Sequence, residues 1–137
     1  MIFIDTGAFL ARHAARDQYH AQAARLWETL ERSTHRLFTS NFVLAETFTL
    51  LARRTSYPFA TERAKRIFGS ERLTILRPDS DDEVGAVSIF QKYADSKVSF
   101  TDCLSCVLMR RHHLKRAFSF DRHFELMGFE LLGIFSA

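Results

Sequence analysis

Cysteine is nearly absent from this 137-residue sequence, and the only two, Cys103 and Cys106, stand three residues apart. Two cysteines make no disulfide framework, and a lone C-x-x-C lacks the second pair that a zinc site needs. They read as small apolar residues on a helix, in a chain at home in a reducing cytoplasm. No segment approaches the roughly 18 uninterrupted apolar residues of a membrane span. Met1–Asp5 has neither the basic nor the long apolar region of a signal peptide. Two prolines and five glycines leave no linker, repeat or low-complexity stretch. There is no H-E-x-x-H pair, no G-x-S-x-G elbow and no glycine-rich phosphate loop, which disfavours zinc-protease, serine-nucleophile and nucleotide-cradle chemistry.

What the sequence does have is apolar bulk: 47% hydrophobic residues, 14 of the residues being phenylalanine. A domain of this length buries about two thirds of its unfolded surface, so a single folded domain over residues 1–137 is expected. The balance of 19 Lys plus Arg against 16 Asp plus Glu favours a polyanionic partner only weakly.

Short apolar runs alternate with amphipathic stretches, the pattern of an α/β fold with a mostly parallel sheet. Strands are expected at Met1–Ile4, Leu37–Thr39, Leu73–Leu76, Ala117–Phe120 and Phe129–Phe135, with a tight turn at Gly7. Helices are expected over Tyr19–Arg32, from a cap at Ser40 or Asn41 through Arg54, from about Pro58 to a cap at Gly69, from the acidic run Asp79–Glu83 to Ala94, and from Ser99 to His113.

Four acids stand out against this frame. Asp5 and Asp121 each end an apolar strand, where open parallel sheets place ligands, although aspartate also starts turns for local reasons. Glu46 lies in the run Phe42–Leu51 with no basic residue at the neighbouring helical positions, so it is expected to face a cleft containing a cation, because an unpaired ionised glutamate in a core is costly. Asp102 follows Ser99 at capping-box spacing, a role compatible with ligation. Carboxylates brought close together repel unless a divalent cation neutralises them. Oxygen ligands select hard ions such as Mg²⁺ or Mn²⁺, which leave room for a phosphate oxygen and an attacking water.

Four motifs carry a resemblance across the whole chain: Ile4-Asp5-Thr6-Gly7-Ala8; Thr39-Ser40-Asn41 through Leu44-Ala45-Glu46; Ser99-Phe100-Thr101-Asp102-Cys103; and Phe118-Ser119-Phe120-Asp121-Arg122-His123-Phe124. In this order they resemble the PIN-domain family, in particular its VapC-type toxins. The resemblance implies a single PIN-like domain with a central five-stranded parallel sheet flanked by helices, and a Mg²⁺- or Mn²⁺-dependent endoribonuclease. Asp5 and Asp102 would be the most direct metal ligands, Glu46 would hold a ligand water or a second metal, and Asp121 would complete the site. Thr6, with Ser40 and Thr101 as further candidates, would hydrogen-bond a carboxylate or the scissile phosphate. Gly7 departs from the Ser or Asn of many relatives but leaves every carboxylate in place. The resemblance also implies cleavage to 5′-phosphate and 3′-hydroxyl ends, a homodimer, and a small antitoxin that blocks the acidic groove.

An acidic pocket repels RNA, so cations must hold the strand. The candidates are Arg12, Lys97, Arg110 and Arg122, with Arg111, Lys115 and Arg116 behind them. The excess of apolar residues on Tyr19–Leu30 and Phe42–Leu51 fits either a dimer interface or deep burial. Other readings stay open: a PIN nuclease acting on DNA or in ribosomal RNA processing, a catalytically silent PIN module that binds RNA or protein, and an unrelated phosphatase with Asp5 as nucleophile.

Overall fold

Five short strands carry the molecule's interior: β1 (Ile2–Ile4), β2 (Leu37–Ser40), β3 (Leu73–Leu76), β4 (Arg116–Phe118) and β5 (Glu130–Leu132). The computed structural model describes residues 1–133. The expected fifth strand is therefore shorter than Phe129–Phe135, and its residues 134–135 lie outside the described residues. All four pairings are parallel, in the order β3-β2-β1-β4-β5. The continuous apolar runs follow from this, because a parallel sheet is covered on both faces. Phe3, Ile4, Ala117 and Phe118 are completely buried.

The chain lays down β1, β2 and β3 in one direction, then crosses back so that β4 pairs with β1 on its other side. The strand order reverses between β1 and β4. In open parallel sheets the crevice outside the carboxyl ends of the strands at such a reversal is the ligand site.

Helices cover the sheet: α1 (Thr6–His13), α2 (His20–Arg32), α3 (Asn41–Arg54), α4 (Tyr57–Phe68), α5 (Ser80–Lys92), α6 (Phe100–Arg111) and α7 (His123–Leu126), with a 3₁₀ turn at Ala94–Ser96. Capping explains most boundaries. The side chains of Ser40, Ser56 and Ser99 each accept a backbone N–H of the first turn, and Pro58 occupies the first turn of α4, where its missing N–H costs nothing. Asp79 and Asp82 form a reciprocal capping box at α5.

The expected tight turn at Gly7 is replaced by the first turn of α1. Asp5 is the extended N-cap residue (φ −92°, ψ 166°), and the helix starts at Thr6. Ala8, Phe9, Leu10 and Ala11 are all buried, so the middle of this short helix reads in sequence as one continuous apolar run. The apolar surplus also settles differently on the two helices singled out. On α2, Ala23, Trp27 and Leu30 go into the interior. On α3, Phe42 remains exposed, and further exposed apolar side chains lie on α4 (Tyr57, Phe68) and α5 (Val84, Val87, Phe90). Among the described residues, no helix is long and apolar enough to cross a membrane.

Candidate active site

Asp5 is delivered by β1 to the reversal point of the sheet. Its backbone N–H donates to the Phe118 carbonyl of β4 (3.1 Å), which fixes the residue between the two central strands. Its side chain makes no capping bond to α1. Instead Oδ2 accepts a hydrogen bond from the Ser119 hydroxyl (2.8 Å), while Oδ1 is buried and has no partner. Burial raises the Asp5 carboxyl to a pKa of about 6, against the lowering pull of the Ser119 hydroxyl and the nearby Thr6 backbone, and Asp121 and Glu46 add repulsion.

Asp102 stands in the first turn of α6. Its N–H donates to the Ser99 hydroxyl (3.1 Å), which is one half of the expected capping box. The other half is not formed here, so the carboxylate is available to the site. Burial lifts its pKa to about 9, with further contributions from the charges of Asp5 and Asp121, a hydrogen bond to Asp121, and Glu46. Two buried carboxyls that resist ionisation in one another's presence mark a place where negative charge lacks a counter-charge.

Asp121 comes from the segment after β4, two residues beyond Ser119. The Ser119 hydroxyl accepts its N–H (3.0 Å), so one buried serine fixes both Asp5 and the Asp121 backbone. The Asp121 Oδ1 atom accepts the N–H of His123 (2.9 Å) and lies 3.2 Å from His123 Nδ1, which is 3.6 Å from Asp102 Oδ2. Ligand atoms of Asp102, Asp121 and His123 all fall within 4.8 Å of one another.

Glu46 stands at the open edge of this group. It is exposed on α3 rather than packed among apolar neighbours. The run Phe42–Leu51 misleads because the buried side is the stripe of Val43, Leu44, Thr47 and Leu51, and Glu46 stands outside it. Glu46 is nevertheless near enough to raise both Asp5 and Asp102, so all four acids share one electrostatic neighbourhood.

Of the supporting hydroxyls, Thr6 is buried and its Oγ1 has no partner. Ser40 is spent on capping α3 through Val43 N–H (3.1 Å), and Thr101 is half-buried on α6. The basic residues divide. Lys97 is exposed in a left-handed conformation (φ 55°) just before α6. Arg122 is exposed beside Asp121, and Arg110 reaches the Met127 carbonyl at 3.4 Å. Arg111 pairs with Asp79 and Asp82 of the α5 cap, and Arg116 lies 3.4 Å from His35. Arg12 sits seven residues along α1 from Asp5, about 10 Å of helix away, where it pairs with Glu31 and stacks over the Trp27 ring at 4.4 Å. The structure therefore places it away from the acids.

Reasoning from the sequence did not single out Ser119 or His123 as functional residues. Ser119 is small and polar in an apolar run, two positions before Asp121. In an extended segment that spacing puts both on the same side, which is the signal that could have found it. His123 lay inside a motif already quoted and follows Asp121 at the same two-residue spacing.

The residues present fit a divalent cation. Asp5 Oδ1, Thr6 Oγ1 and His123 Nδ1 are buried atoms without hydrogen-bond partners, and buried polar atoms are rarely left so. Among the described residues, no lysine or arginine forms an ion pair with Asp5, Asp102 or Asp121. A bound cation would supply the missing counter-charge.

Comparison with known proteins agrees with this geometry. The chain is 34% identical over 129 residues to the 23S rRNA-specific endonuclease VapC20 of Mycobacterium tuberculosis, covering 94% of this chain and 95% of that protein. It is 32% identical over 125 residues to a VapC ribonuclease of Archaeoglobus fulgidus, covering 90% and 78%. The crystal structure of M. tuberculosis VapC20, described as a sarcin-ricin loop cleaving toxin, superimposes with a TM-score of 0.86 over 94% of this chain and 96% of that one, at 32% identity. VapBC2 from Rickettsia felis shares the fold at a TM-score of 0.66 with 13% identity. The PIN domain family model matches residues 2–130, from the strand that delivers Asp5 through the start of β5, and on this the chain belongs to the PIN-domain family.

Proposed function

We propose that this chain is an endoribonuclease of the VapC kind, which hydrolyses RNA phosphodiester bonds at the cluster of Asp5, Asp102, Asp121 and Glu46, and that it acts as the toxin of a toxin–antitoxin pair. The observation that carries the reading is the buried, mutually repelling pair Asp5 and Asp102 at the sheet's reversal point, held by Ser119 and, among the described residues, without a lysine or arginine ion pair.

Mg²⁺ or Mn²⁺, when bound, would neutralise the carboxylates and polarise a phosphate oxygen. Asp5 and Asp102 would hold the ion, with Asp121 completing the set and Glu46 reaching it from the exposed side. His123 Nδ1, 3.2 Å from Asp121 Oδ1 and 3.6 Å from Asp102 Oδ2, would be a further ligand atom beside them. Ser119 fixes the direction of the Asp5 carboxylate, the role that outer hydrogen bonds play around metal ligands. Thr6 Oγ1, buried and unpartnered, is available as a donor to a ligand oxygen. Because Glu46 is exposed, the site opens towards solvent on the α3 side, where a strand can approach. Lys97, Arg110 and Arg122 are candidates for phosphate contacts beside it.

The similarity to VapC20 makes 23S rRNA the first substrate to try, and an antitoxin the first partner. Exposed Val84, Val87 and Phe90 on α5 support self-association into a homodimer, which sedimentation would reveal as a mass of twice 15.9 kDa.

The test is cleavage of total RNA and of intact ribosomes with added Mg²⁺ or Mn²⁺, comparing the wild type with Asp5→Asn and Asp102→Asn. Metal-dependent cutting that leaves 5′-phosphate and 3′-hydroxyl ends and disappears in both variants is the expected result. Folded protein that binds RNA without cutting it would replace the nuclease by a silent binding module.

A further inference from the structure

A second polar region lies at the other end of the sheet. A cavity of about 570 Å³ opens between α1, α2 and α4, bordered by Leu37 and Leu73, the first residues of β2 and β3. The acids follow the last residues of β1 and β4, so the cavity and the acidic cluster occupy opposite strand ends. Its volume falls within the range of small-molecule sites.

The floor is apolar, with Trp27 and Ile67, and the walls carry Arg12, His13, Arg63 and Arg66. Most of the cationic charge around it is already balanced. Arg12 pairs with Glu31, and Arg66 with Glu62 at 2.7 Å. Arg72 is occupied by the carbonyls of Leu30, Glu31, Ser33 and His35 at the end of α2. Arg63 differs. Its guanidinium has no acidic partner among the described residues; it lies over the Phe59 ring at 4.8 Å, and its Nε is buried without a hydrogen bond. A buried guanidinium N–H left unmatched is costly, and its natural complement is an oxyanion.

We propose that this cavity binds a small ligand bearing a phosphate monoester, of mononucleotide size, with the phosphate against Arg63, Arg66 and His13 and the organic part on the Trp27–Ile67 floor. A phosphate monoester offers three oxygens and close to two negative charges, enough to engage donors from both α1 and α4 at once. His13 reports the field. Burial pulls its pKa down, and the charges of Arg12, Arg63 and Arg66 lower it further, to about 4, so the ring responds to any charge placed beside these arginines. His20, whose Nδ1 lies 2.7 Å from the Ala11 carbonyl, Glu31 and Arg72 are the other ionisable groups facing the cavity from α2 and the β3 side.

The test is titration of the full chain in EDTA with adenosine 5′-monophosphate, inorganic phosphate and uncharged adenosine, followed by the His13 ring resonances and by calorimetry. The proposal requires that the monophosphate shift the His13 signals and raise the pH at which that ring protonates, and that adenosine alone bind at least tenfold more weakly. Arg63→Gln and, separately, Arg66→Gln should each weaken the monophosphate tenfold or more, while Asp102→Asn leaves it unchanged. Inorganic phosphate should bind with the same arginine dependence. Silence of the His13 signals towards both phosphates would overturn the proposal. So would binding that depends on Asp102 instead of Arg63, or an Arg63-dependent response to a glutamate-rich peptide alone, which would make the cavity a protein-docking surface.

Discussion

The two ends of α1 sit in opposite electrostatic worlds. At its start, Asp5 joins Asp102, Asp121 and Glu46, and burial, with repulsion from the neighbouring acids, raises the carboxyl pKa values of Asp5 and Asp102. At its end, Arg12 enters a cluster of guanidinium groups, most of which already have an acid or a carbonyl to meet. Both ends are rich in charge, but they differ in how much is left uncompensated. Balanced charge holds structure together, whereas unbalanced buried charge is tolerated where a ligand or ion supplies the remainder. By that measure the acidic end is a site as a whole, and the basic end is one only at Arg63.

The contrast breaks most severely at Asp102. Asp102→Asn removes a candidate ligand and should lower metal-dependent RNA cleavage by well over the 10–100-fold typical of losing an outer-shell partner, as measured by initial rates at saturating Mn²⁺. Ser119→Ala keeps every carboxylate but frees Asp5 to rotate. It should fall within that 10–100-fold range, in cleavage rate or in metal affinity by calorimetry. Equal activity in Ser119→Ala would show that the Asp5 geometry is set elsewhere.

Stability should follow pH in a way that identifies the same carboxyls. In EDTA the folded pKa values of Asp5 (about 6) and Asp102 (about 9) lie above the ordinary 3.8. The folded state then holds more protons than the unfolded state, so these groups favour folding at low pH and lose that contribution as pH rises from about 4 towards 9. Asp102→Asn should therefore melt increasingly above the wild type as pH rises from 5 to 9 without metal, and added Mn²⁺ should narrow the gap. A gap independent of pH would contradict the raised Asp102. The smallest effect belongs to the basic end. Glu31→Gln removes the partner of Arg12, a half-exposed pair, and should cost about 0–1 kcal/mol in denaturant unfolding.

How much of this was readable in advance follows the same physics. The strands showed because parallel sheets bury both faces and leave uninterrupted apolar runs, and the four acids showed because they interrupt or terminate such runs. Helix α1 did not, since Thr6 and Gly7 are poor helix formers and the all-buried segment Ala8–Ala11 has no period. Glu46 was placed on the right helix, but its exposure was not readable, because linear neighbours do not tell which stripe of a helix is covered. Arg12 follows an acidic motif in sequence yet ends a helix that runs away from it, and the partnership of Ser119 with Asp5 exists only in three dimensions.

That partnership joins residues 114 positions apart, and it sets an order of events in synthesis. The first candidate ligand emerges almost at once, but its clamp is made more than a hundred residues later. The clamp is then closed in by Gly133, where any Cβ would lie 2.1 Å from the Ser119 carbonyl oxygen. A nascent or truncated chain that stops before β4 would carry Asp5, Glu46 and Asp102 without the serine that aims Asp5.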